Sequence, residues 1–124
     1  MTHRILIVDD SIIVRQQIGS TLKEAGHEIV EAGHGEQALL ILRAQSRISL
    51  VICDVNMPVM NGIALLEALK REGLLATCKV LMLTSEAQPD MLERARKLGA
   101  RGWIVKPVSP KNLVTAVRKL LQSP

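Results

Sequence analysis

Four places in this 124-residue chain gather side chains that could do chemistry together. Asp9-Asp10, Asp54, Thr84-Ser85 and Lys106-Pro107 each follow a short, largely apolar run. Two carboxylates about 4 Å apart repel by roughly 1–4 kcal/mol at effective dielectrics of 80 to 20, so grouping three acids needs a cation. A hard divalent ion such as Mg²⁺, or Mn²⁺ in its place, takes oxygen ligands and keeps several waters. An acidic trio with a metal and a facing lysine is also what a transferring phosphoryl group requires. A carboxylate can itself attack phosphorus and form an acyl phosphate. Taken singly, each residue has an ordinary explanation. Asp9-Asp10 can be a turn or cap pair, Asp54 a loop start, Thr84 a strand-end hydroxyl and Lys106 a surface lysine. The chemistry exists only if the fold brings them to one place.

The apolar pattern says how that can happen. Ile5 to Val8, Leu50 to Cys53 and Val80 to Leu83 are continuous apolar runs, the mark of strands buried on both faces. Residues 27 to 32 alternate and predict an edge strand, and Gly102 to Val105 gives a fifth. Helical spacing lies between them: Val14, Ile18, Leu22 and Ala25 after a Ser11 cap; Ala38, Leu39 and Leu42; Leu65, Leu66 and Leu69; Met91, Leu92, Ala95 and Leu98; Leu113, Val117 and Leu120 after Ser109-Pro110. Gly26, Gly73 and Gly99 mark helix ends. The expected fold class is α/β: one (βα)5 doubly wound domain over residues 1–124. Its five-stranded parallel sheet has order 2-1-3-4-5 and helices on both faces, a flavodoxin-like arrangement. All strands of a parallel sheet end on one edge, and ligands bind there where the strand order reverses. The four motifs therefore converge between the first and third strands.

Composition narrows the classes. At 48% hydrophobic the chain is not disordered, and no apolar run exceeds five residues, so no transmembrane helix is predicted. No signal-peptide stretch follows Met1, and a cytoplasmic location is expected. The charge of +4 is uneven: residues 63–124 hold 11 basic and 5 acidic side chains. Arg94, Arg96, Lys97, Arg101, Lys111 and Arg118 belong to that excess, read as a solvated face or a surface for an acidic protein partner. No aromatic interleaving or glycine-rich loop accompanies it, which argues against nucleic acid.

With the motifs in this order, the sequence resembles the receiver domain of bacterial two-component response regulators over essentially its whole length. The residues that carry the likeness are Asp9-Asp10-Ser11, Asp54 to Pro58 with Asn61-Gly62, Thr84-Ser85 and Lys106-Pro107. Asp10-Ser11 followed by Arg15, with Trp103 to Pro107, is similar to the stand-alone CheY-like members. The resemblance implies Asp54 as phosphoacceptor from a sensor histidine kinase. It implies Mg²⁺ held by Asp9, Asp10, Asp54 and the Asn56 backbone carbonyl. Lys106, Thr84 and Ser85 would meet the phosphoryl group, and Asn56 and Glu86 would tune hydrolysis of the acyl phosphate. Trp103 stands where the family carries a smaller switch aromatic, and Lys106-Pro107 is expected cis. A chain starting at Met1 and ending after its fifth helix would act by binding a downstream target, as a monomer or weak dimer. That target would be a flagellar motor switch, a kinase or another effector, met through the fourth helix, fifth strand and fifth helix. Such a protein is not a conventional enzyme; it promotes its own phosphorylation and dephosphorylation.

Two other classes compete. A receiver-like scaffold that is never phosphorylated should lack an acid, Thr84 or Lys106, and this chain has all of them. A small aspartyl-phosphate phosphatase carries its nucleophile after the first strand and has a cap domain, for which this chain leaves no room. His3, His27 and His34 are scattered and read as surface residues. Cys53 and Cys78 stand at opposite ends of neighbouring strands, about 16 Å apart at ~3.3 Å per residue, too far for a disulfide. Met57 and Met60 are read as supports of their loop.

Overall fold

Ile5, Leu6, Ile7 and Val8 are all fully buried, and successive residues go to opposite sides of the sheet. In the computed structural model, which describes residues 3–45, 47–57, 60–85 and 89–122, Leu6 and Val8 enter one core, and Ile5 and Ile7 the other. The same alternation divides Val51 and Cys53 from Leu50 and Ile52, and Val80 and Met82 from Leu81 and Leu83. This is why the central strands have no polar face.

The elements are β1 (Arg4–Val8), α1 (Ile12–Glu24), β2 (Glu28–Ala32), α2 (Gly35–Ala44), β3 (Ile48–Asp54), α3 (Gly62–Arg71), a 3-10 turn (Leu74–Ala76), β4 (Lys79–Thr84), α4 (Pro89–Leu98), β5 (Gly102–Val105) and α5 (Pro110–Gln122). The sheet is parallel in every pairing and its order is β2-β1-β3-β4-β5, as the sequence predicts. Ile18 and Leu22 of α1 and Leu113 and Val117 of α5 cover one face. Residues of α2 and α3, with Ala95 of α4, cover the other.

Helix starts follow local chemistry. Ser11 Oγ accepts the Val14 N–H, Asn61 Oδ1 that of Ala64, and Ser109 Oγ that of Asn112. Gly26 and Gly99, with φ of +96° and +115°, turn the chain out of α1 and α4 through a region that L side chains avoid. Met57 is buried, and Met60 packs against the core beside Gly35, as expected of loop supports. Three details differ from the sequence reading. β3 begins two residues early, at Ile48, because the register shifts between Arg4 and Ile5 and Arg4 then pairs with Ile48. The 3-10 turn had no apolar periodicity to announce it. The α2 cap is His34, whose Nδ1 accepts the Gln37 N–H at 3.1 Å.

Candidate functional site

The carboxyl edge of the sheet is where the sequence-predicted site residues meet. β1 ends at Val8 and delivers Asp9, which is fully buried; β3 ends in Asp54, 4% exposed. Carboxylate oxygens of Asp9, Asp10 and Asp54 all lie within 4.8 Å of one another. Lys106, just after β5, reaches across with Nζ 2.9 Å from Asp9 Oδ2 and 3.2 Å from Asp54 Oδ2. Thr84 ends β4, buried, and its carbonyl accepts the Lys106 N–H at 2.7 Å. That bond locks the start of the β5–α5 loop to the end of β4. Ser85 follows it, exposed. The Lys106-Pro107 bond is cis, as the family resemblance leads one to expect.

Every polar atom of Asp9 is engaged. Its N–H donates to the Ala32 carbonyl at 3.2 Å, Oδ1 accepts the Ser11 N–H at 2.9 Å, and Oδ2 accepts from Lys106. Its carbonyl accepts from Arg15 Nη1 at 2.5 Å, while Arg15 Nε pairs with Glu31 at 3.1 Å. Asp54 Oδ1 accepts the Asn56 N–H at 3.3 Å. Asp10 is exposed, so one member of the trio faces solvent. Burial pushes the Asp54 carboxyl above its ordinary value; Lys106 opposes that shift and Asp9 adds to it. Burial alone would lower the Lys106 ammonium. The hydrogen bond to Asp9 and the charges of both acids outweigh it and raise the group.

The donor set fits a hard divalent cation. It is all oxygen, it converges, and it carries more negative charge than one ammonium balances. Asp9, Asp10 and Asp54 are the side chains that would hold Mg²⁺. Buried Cys53 beside Asp54 does not compete as a ligand, since desolvation and the neighbouring acids push its thiol far up. Cys78, pushed up to about 11 by burial, is likewise a free thiol.

A family model for the response regulator receiver domain matches residues 5–118. The chain belongs to that family. It is 37% identical over 121 residues to a "probable transcriptional regulator ycf27" of Cyanophora paradoxa, covering 96% of this chain and 48% of that protein. The chain thus spans about half the length of that relative. A "chemotaxis protein CheY homolog" of Campylobacter jejuni is 34% identical over 119 residues, covering 95% of this chain and 92% of the relative. Among solved structures, the chemotaxis protein CheY4 of Vibrio cholerae superposes with a TM-score of 0.90 at 36% identity, covering 97% and 99% of the two chains.

Several predicted receiver-domain residues lie away from the acidic edge. Trp103 is 44% exposed and shares the outward side of β5 with Val105, while Ile104 points into the core. The basic residues do not form one surface. Arg94 pairs with Glu67 and Arg96 with Glu93 on exposed faces; Lys97 and Lys111 are exposed. Arg118 and Arg101 instead line cavities at the amino edge of the sheet. Glu86 lies outside the described residues. The sequence missed Arg15 as a partner of Asp9; its signal was a helix-face arginine five residues after Asp10. It also kept the histidines apart as surface residues, whereas the His3 and His27 rings lie 6.0 Å from each other. No described helix is long and apolar enough to cross a membrane.

Proposed function

We propose that this receiver domain is a phosphorylation-operated switch in which Asp54 accepts a phosphoryl group from a histidine kinase. The observation that carries the reading is the convergence of Asp9, Asp10 and Asp54 with Lys106 at 2.9 and 3.2 Å. An Asp54 carboxylate oxygen attacks the phosphorus of the phosphohistidine; the P–N bond breaks, and its electrons stay on the imidazole. An acyl phosphate results. Bound Mg²⁺ supplies positive charge to the phosphoryl oxygens. Asp9, Asp10, Asp54 and the Asn56 carbonyl would hold that ion, and Lys106 shifts its ammonium from Asp9 toward the new phosphoryl oxygens. Asn56, and Glu86 by family position, tune how fast water reverses the step.

Thr84 is already fixed through its backbone to Lys106. Its hydroxyl turns to the phosphoryl group with Ser85 beside it, and the space released lets Trp103 move inward from its exposed position. The result is a population shift between two packings. Trp103 and the exposed cations of α4 and α5 then present a changed surface to a downstream protein. A chemotaxis target, such as a flagellar motor switch, accords with the CheY homologue and CheY4 likenesses. A cytoplasmic location and a monomer or weak dimer accord with this role.

Trp103 is the single fluorophore, so it reports the switch. Its emission should change on adding a small phosphodonor or beryllium fluoride, only with Mg²⁺ present, and Asp54→Asn should abolish the response. An equal response in that variant removes Asp54 as acceptor. Arg94→Glu with Lys111→Glu should weaken target capture and leave phosphorylation intact.

A further inference from the structure

At the edge of the sheet opposite the acidic site, strand register sets two histidines side by side. β1 and β2 pair Arg4 with Glu28, and one step earlier the Glu28 N–H donates to the His3 carbonyl at 2.9 Å. His3 and His27 therefore precede the two strands in step. Strand alternation puts them on the side of Ile5, Ile7 and Ile29, toward α1 and α5. Their ring centroids are 6.0 Å apart, with planes inclined at 48°. Both line a cavity of about 520 Å³ whose other walls are Ala25 and, from α5, Val114, Arg118, Leu121 and Gln122.

The two rings differ in their hydrogen bonding. His3 Nδ1 is engaged with Ser49 Oγ at 3.3 Å, which leaves Nε2 as its available nitrogen. His27 Nδ1 is buried and has no hydrogen-bond partner, and among the described residues it is the only such buried side-chain nitrogen or oxygen. Buried polar atoms are nearly always satisfied, so an orphan calls for an occupant such as a water or an ion. Burial first, and His3 second, hold the His27 ring below its ordinary value.

We propose that His3 and His27 form a binding site for a borderline transition-metal ion, Zn²⁺, separate from the acidic site. Neutral imidazole lone pairs are the ligands such ions prefer, whereas Mg²⁺ takes oxygen, so the two edges of one sheet select different metals. Zn–N bonds of about 2.0–2.1 Å require the rings to draw together by side-chain rotation, and the cavity leaves room for that. Ser49 Oγ on the far nitrogen of His3 supplies the outer partner that orients a ligating histidine. The Gln122 amide and water complete the coordination. The ion ties the start of β1 to the start of β2.

The experiment titrates ZnCl₂ into the full chain by calorimetry, with Mg²⁺ in excess to fill the acidic edge. Imidazole ¹⁵N resonances are followed in parallel. One Zn²⁺ should bind, shifting His3 and His27 but not His34, whose Nδ1 is occupied by the α2 cap. His27→Gln and His3→Gln should each weaken binding at least tenfold, and Asp54→Asn should leave it unchanged. Arg118→Gln keeps both ligands and removes the cation in the cavity wall, so it should tighten binding several-fold. Zn²⁺ affinity unaltered in both histidine variants overturns the site. So does weaker Zn²⁺ binding in Arg118→Gln, or inorganic phosphate shifting the same two rings in place of Zn²⁺; the latter makes this an anion pocket.

Discussion

Lys106 Nζ stands 2.9 Å from Asp9 Oδ2, a contact that ties the end of β1 to the loop after β5 across 97 positions of sequence. Asp9 has no solvent exposure and the Lys106 side chain has 21%. The same ammonium also serves Asp54 at 3.2 Å. One cation thus balances two buried anions, and its removal leaves both uncompensated. Lys106→Met should cost the metal-free protein about 1–3 kcal/mol, below the value for a fully buried pair because the lysine is partly solvated. Saturating Mg²⁺ should return part of the loss. Urea unfolding with EDTA and with Mg²⁺ measures both, and equal midpoints for variant and parent would contradict this balance.

Asp54 illustrates a site held against its own stability. Its carboxyl lies above the ordinary 3.8, chiefly from burial, with Asp9 adding to the shift. A raised folded-state value means the stabilising contribution is complete below the ordinary value and is lost as pH rises through the folded one. Ionised Asp54 therefore costs the metal-free fold at pH 7. Asp54→Asn should raise the melting temperature there by about 2–4 °C, and the gain should vanish near pH 3. Calorimetric melts in EDTA across that range decide it.

Gly62 opens α3 against the end of β3. A Cβ there would lie 2.5 Å from the Asp54 carbonyl oxygen, 2.8 Å from Met82 Cε and 3.0 Å from Val55 Cα. The methionine can yield, but the backbone cannot without moving Asp54. Gly62→Ala should destabilise by about 1–3 kcal/mol and should slow phosphorylation by small donors more than its stability loss explains. A stability loss with an unchanged phosphorylation rate would confine Gly62 to packing.

Arg15 holds the Asp9 carbonyl and is itself held by Glu31. Two effects of Arg15→Met on Mg²⁺ binding have opposite signs. Removing a positive charge near the acids favours the ion; releasing the Asp9-Asp10 peptide disfavours it. The guanidinium is the hydrogen-bond partner of a carbonyl between the two acids proposed to hold the ion, so release should win and binding should weaken about 3–10-fold, or roughly 1 kcal/mol. Glu31→Gln should produce a smaller loss in the same direction. Tighter Mg²⁺ binding in Arg15→Met, measured by titration calorimetry, would show that charge dominates.

The sequence by itself determined the element order, the parallel sheet and the four motifs at its carboxyl edge. These signals are local: an apolar run long enough for one strand, a cap such as Ser11 or Asn61, a glycine at a helix end. With a parallel sheet, strand ends share an edge, so Asp9, Asp54, Thr84 and Lys106 could be placed together from spacing alone. Only the tertiary structure decided which atoms meet. Whether Lys106 faces Asp9 or Asp54, and that Arg15 spans from Asp9 to Glu31, depend on side-chain reach between elements. The His3–His27 pair depends on the β1–β2 register, and the division of the basic residues on where α4 and α5 carry them. Register and packing angle are properties of two segments at once, and no pattern within either segment encodes them.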